Sequence, residues 1–151
     1  MSARTTMNEV IRSHNVVHLA TIDASGDPCV RVVDYAVGEE ENVLYFITHK
    51  ASRKVSQIST NPRVGFAIDR DAPSMEELAA SKYIKGTATA AVINDSDEMK
   101  KAMGLLLAKF PFLADMPGDP SDFVCVCLTL RKVLVTDNTV SFDYTEEVNF
   151  P

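Results

Sequence analysis

No run of about 18 apolar residues occurs anywhere in the chain, so nothing in it reads as a membrane-spanning helix. Residues 1–13 lack an apolar core followed by a cleavage site, so no secretory signal is expected and the protein is expected in the cytoplasm. Cysteine is scarce. There are three, an odd number, and Cys125 and Cys127 are separated by one residue rather than set as Cys-x-x-Cys. This argues against a disulfide framework and for reduced core thiols. Positive charge is also in deficit: 15 Lys and Arg against 21 Asp and Glu leave a formal charge of -6. This argues against a general nucleic-acid binder, which needs a basic face to neutralise phosphates, and makes the small basic cluster at 50–54 a local exception. There is no Gly-x-Ser-x-Gly, no His-Glu-x-x-His and no Gly-Lys-Ser/Thr, and the acidic run Glu39–Glu41 reads as a solvated turn. The only histidines are His14, His18 and His49. His14 and His18 straddle a predicted helix end and strand start, so they share no helical face and make a poor metal site. His49 reads as a solvated loop side chain, with a part in orienting or protonating a substrate as the alternative.

What remains is a chain of 151 residues, 46% apolar, long enough for one compact domain over residues 1–151. A capping box, Thr6-x-x-Glu9, predicts a short N-terminal helix with Met7, Val10 and Ile11 as its apolar side. Strands are expected over 16–23 and 29–37, joined by a Gly26–Pro28 turn, and over 43–48 after an acidic turn. Alternation of Val64, Phe66 and Ile68 marks another strand. A helical turn at Ser74-x-x-Glu77 precedes a strand over 83–92. The segment 96–110 has a helical stripe of Met99, Met103, Leu106 and Phe110, ended by Pro111, and its methionines read as core filler. Two strands, 123–130 and 133–136, a turn at Asp137-Asn138 and a last strand over 139–144 complete the pattern. Short antiparallel strands punctuated by helices predict a mostly β fold with flanking helices, its edges removed by closure into a barrel.

The chemistry concentrates at Thr48-His49-Lys50-Ala51-Ser52-Arg53-Lys54-Val55. Ser52 is a suitable N-cap, and Asn61-Pro62 stops the helix it opens. Arg53 and Lys54 then lie at the positive end of the macrodipole, which disfavours each by a few tenths to about 1 kcal/mol. A bound anion reverses that penalty, because free N–H groups, the Thr48 and Ser52 hydroxyls and two cations converge on it. The other reading is a solvated basic turn. On the second strand, Arg31, Val33 and Tyr35 share one face and Val30, Val32 and Asp34 the other. A cation inside a strand needs an anion, a carboxylate such as Asp23 or Asp34, or a solvent edge.

The run from His18 to Ile68 resembles the pyridoxamine 5'-phosphate oxidase-like FMN-binding split-barrel superfamily. The resemblance rests on Leu19-Ala20-Thr21, Gly26-Asp27-Pro28, Arg31-Val32-Val33, Phe46-Ile47-Thr48, Ser52-Arg53-Lys54 and Asn61-Pro62-Arg63-Val64 in order, with Gly86-Thr87-Ala88 as a later match. It implies an antiparallel split β-barrel, a homodimer with flavin in the cleft between two barrels, and FMN held by Arg31, Val32, Val33, Ile47, Thr48, Ser52, Arg53 and Lys54. In that scheme Arg53 and Lys54 hold the 5'-phosphate and Arg31 stabilises negative charge gained by the flavin on reduction. True vitamin oxidases of this kind carry an Arg-x-His near the C-terminus and a Trp-rich ending. This chain has neither, and no Trp at all. The implied activity is therefore an FMN-dependent oxidoreductase of unknown small-molecule substrate. A non-catalytic flavin carrier or stress-related redox module, a relative using F420 or haem, and a flavinless structural relative are the alternatives.

Overall fold

The structure is a computed structural model that describes residues 1–151. Its strands are β1 (Val16–Ile22), β2 (Pro28–Asp34), β3 (Ala36–Val37), β4 (Val43–His49), β5 (Arg63–Ile68), β6 (Lys82–Val92), β7 (Phe123–Asp137) and β8 (Thr145–Asn149). Its helices are α1 (Ala3–Ser13), α2 (Arg53–Thr60), α3 (Met75–Ala79) and α4 (Ser96–Lys109). All strand pairs are antiparallel, in the order β2-β1-β5-β6-β7-β4-β3, with β8 pairing the distal half of β7. The sheet curls into a half-barrel that brings β2, at one end of the order, close to β4. The expected split-barrel class is the one formed, but the sheet does not close: β2 and β3 each keep an unpaired edge at the two ends of the order, so the expected removal of edges is corrected.

Two apolar layers hold it. Inside the curl, Leu19, Phe46, Phe66, Ile84 and Leu128 pack with Met7, Val10 and Ile11 of α1, all at most 5% exposed. On the outside, Ala102, Leu106 and Phe110 of α4 cover Tyr45 and Cys125, with Met99 and Met103 half-buried at the margin. Each large side chain so buried contributes roughly 1.5–3 kcal/mol. The cysteines are free thiols, and burial pushes the Cys125 thiol up to about 11.

Several expected boundaries are corrected. α1 opens four residues earlier than the Thr6-x-x-Glu9 box implies: Ser2, not Thr6, is the N-cap and accepts from the Thr5 N–H, while Thr6 is buried within the helix. The strand expected over 29–37 breaks at Tyr35, whose buried hydroxyl donates to the Ile11 carbonyl at 2.5 Å and whose N–H bonds Asn15. β2 and β3 thereby join opposite ends of the sheet. The strands expected over 123–130 and 133–136 are one, β7, continued through a bulge at which Arg131 has no partner between Thr87 and Ala88. No strand forms over 139–144. Asp137 accepts from the Thr139 N–H and Asn138 from the Asp143 N–H, a pair of side-chain turns that delays the last strand to Thr145.

Candidate functional site

β4 and α2 are joined by a tight turn in which the Ser52 N–H bonds the His49 carbonyl at 3.0 Å. Ser52 occupies the N-cap position, yet its hydroxyl makes no bond to a first-turn N–H; it accepts from Thr48 Oγ1 at 3.3 Å. The backbone N–H groups of Arg53 and Lys54 are thus left without an acceptor. Lys54, half-buried, folds back so that Nζ donates to Thr48 Oγ1 at 2.8 Å. Burial, and then the charge of Arg31, hold its ammonium below the usual lysine range.

Arg31 lies on the inner face of β2, as the alternation requires, and is half-buried. Its Nη1 donates to Thr21 Oγ1 at 2.6 Å and to the Cys29 and Leu19 carbonyls at 3.2 and 3.4 Å; Nη2 donates to Gln57 Oε1 at 2.8 Å. Every acceptor is neutral. Neither carboxylate alternative pairs with it: Asp23 accepts from the Ser25 and Asp27 N–H groups in its own turn, and Asp34 is exposed on the opposite face. None of the six ion pairs involves Arg31, Arg53 or Lys54.

Seven of the eight residues expected at the site fall into two adjoining groups. Arg31, Thr48, Ser52 and Lys54 form the polar cluster. Val32, Val33 and Ile47 line a neighbouring cavity of about 500 Å³, with Leu106 and Phe112 among its other walls and the carboxylates of Asp34 and Asp115 beside it. Arg53 is exposed and bonds neither group. Sequence reasoning missed Gln57, Thr21 and the 3₁₀ turn Pro111–Asp115 that supplies a cavity wall. The signal for Gln57 was its spacing, three residues beyond Lys54 on the same helix. His49 is exposed, as expected, but is the last residue of β4 rather than part of a loop: it pairs with Phe123 across the sheet, meets that ring edge-on, and accepts from the Ala51 N–H through Nδ1 at 3.1 Å.

A larger hollow, about 770 Å³, lies between α1, the β5–α3 loop and the start of β6. None of the candidate residues lines it; within it Lys82 pairs with Glu9 and Arg70 donates to the Ser13 carbonyl.

A profile of the family described as pyridoxamine 5'-phosphate oxidase matches residues 3–137. Among curated proteins, the pyridoxine/pyridoxamine 5'-phosphate oxidase of Alcanivorax borkumensis is 39% identical over 70 residues, which are 44% of this chain and 33% of that protein. The match therefore spans only about a third of that relative. Among solved structures, the haem-binding protein from Mycobacterium smegmatis has a TM-score of 0.80 at 21% identity, covering 99% of this chain and 58% of that one. General Stress Protein 26 from Bacillus anthracis has a TM-score of 0.70 at 21% identity, covering 99% and 100%. These likenesses carry the fold, and the family profile covers nearly the whole sheet: the chain belongs to the pyridoxamine 5'-phosphate oxidase family.

Proposed function

We propose that this protein binds FMN beside β2, β4 and α2 and is an FMN-dependent oxidoreductase acting on a small molecule other than the phosphorylated vitamin. The observation that carries this reading is uncompensated positive charge. Arg31, Lys54 and Arg53 adjoin two free backbone N–H groups, and no carboxylate pairs with any of them. A phosphate supplies the missing acceptors, each charge-assisted bond contributing roughly 1.5–3 kcal/mol. Arg53, Lys54, Ser52 and Thr48 would hold it. Val32, Val33 and Ile47 would meet the ring with backbone and apolar surface, and Arg31 would set the local potential. FMN, when bound, supplies electron and hydride transfer. The chain itself binds, orients and tunes.

Two features support a substrate other than the vitamin phosphate. The cavity beside the polar cluster is lined by no Lys or Arg, only by apolar groups and the two aspartates. The segment after β7 offers no Arg-x-His. Haem is less well served than FMN. His14 Nε2 is enclosed and His18 Nε2 is engaged by Asp69, which leaves the exposed His49 as the one histidine with an open Nε2 for an iron.

The same reading includes a homodimer that closes the cleft over the flavin, and a cytoplasmic location. No helix is long and apolar enough to cross a membrane. The test is titration of flavin-free protein with FMN, followed by absorbance and fluorescence. Saturable binding with an FMN spectrum is expected. Failure to bind, an F420 spectrum or a Soret band from freshly purified protein overturns the assignment. Turnover of a nicotinamide donor then separates an oxidoreductase from a carrier or stress-related module.

A further inference from the structure

Gln57 lies one turn into α2, and both ends of its amide are engaged. Its Oε1 accepts from Arg31 Nη2 at 2.8 Å and from the buried Thr21 hydroxyl at 2.5 Å. Its Nε2 faces Cys29 Sγ at 3.6 Å, which fixes which end of the amide meets the guanidinium. A guanidinium held inside a strand is ordinarily oriented by a carboxylate, which gives a stronger, bidentate bond. Here the same orientation is achieved by neutral oxygens alone, at the cost of leaving the charge uncancelled.

We infer that Gln57 is a positioning residue for the cofactor anion: it locks the Arg31 guanidinium in place while leaving its charge free to act on the phosphate bound at the start of α2. The inference rests on the FMN reading and adds a residue that the sequence motif did not single out. Its logic is electrostatic. The side chain of Gln57 reaches Arg31 from the helix whose first turn holds Lys54, so a negative charge at this position would lower the field at both cations. Thr21 completes the arrangement, since its hydroxyl accepts from Arg31 and donates to the same amide oxygen.

The test is Gln57→Glu, which keeps shape and acceptor but adds a carboxylate. FMN should bind roughly tenfold more weakly to this variant, while riboflavin, which has no phosphate, should bind within about twofold of the unmodified protein. The thermal midpoint of the flavin-free variant should hold or rise, because an ion pair replaces a neutral bond. That split separates positioning from mere structure. Gln57→Leu serves as the second variant: it strands Thr21 and Arg31, so both FMN affinity and thermal midpoint should fall. Unchanged FMN affinity in Gln57→Glu, or equal loss of FMN and riboflavin with a lowered midpoint, overturns the inference while leaving the flavin site standing. If the unmodified protein takes up no FMN at all, the site reading falls and this inference with it.

Discussion

At Lys54, burial and the neighbouring Arg31 both favour loss of the proton, and a bound phosphate would oppose both. The sign follows directly. The free protein's Lys54 deprotonates below the ordinary lysine range, binding requires the cation, and so FMN affinity should fall as pH rises through that lowered pKa, with proton uptake on binding over the same interval. Riboflavin should show no such alkaline loss. Truncation separates the roles further. Lys54→Ala and Arg53→Ala should each weaken FMN about tenfold to a hundredfold in a fluorescence titration, Arg53 toward the smaller value because it is exposed. Arg31→Ala should lower the midpoint potential of bound flavin, measured by dye equilibration, since a nearby cation favours the reduced, more negative ring. An unchanged potential would remove that role. At this scale the sequence was informative about cations and poor about their acceptors. The charges announce themselves at a helix start, whereas Thr21 and Gln57 meet Arg31 only through strand register and helix phase.

Gly86 shows what an element needs beyond its hydrophobic pattern. A Cβ there would sit 1.8 Å from the Lys132 carbonyl oxygen, a backbone atom that cannot yield without moving β7 beside its bulge. Gly86→Ala should therefore destabilise the fold by about 2 kcal/mol or more, read as a lowered midpoint in denaturant unfolding with the slope unchanged. Elements with a full apolar period were legible. α2, α4 and β4 to β6 lie within a residue or two of their expected limits, because alternation and caps decide them locally. β3, the unbroken β7 and β8 were not. Tyr35 breaks the second strand because its hydroxyl is needed at Ile11, and residues 139–144 form turns because Asp137 and Asn138 satisfy backbone donors there. Both causes are tertiary or side-chain specific, and neither leaves a periodic trace.

On the whole molecule, the apolar surface that folding leaves uncovered lies beside the proposed flavin site. Val30 is 70% exposed and Val32 52% exposed on the outer face of β2, the terminal strand of the sheet, and Phe112, 62% exposed, stands on the same cavity rim as Val32. A bare sheet edge flanked by large apolar groups is a liability for a monomer and an asset for a self-complementary interface. A second copy seated there would cover Val30 and Val32 and enclose the ring of a flavin whose phosphate is already held by one chain. Val30 lines no part of the cavity, so a change there reports on association rather than on direct contact. Val30→Glu should shift the protein from dimer to monomer in sedimentation velocity, with little effect on folding because the side chain is exposed. FMN affinity should drop with it and recover as protein concentration is raised, since mass action restores the dimer. A monomeric unmodified protein, or a monomeric variant that binds FMN with undiminished affinity at every concentration, would show that one barrel suffices and that the apolar edge serves another end.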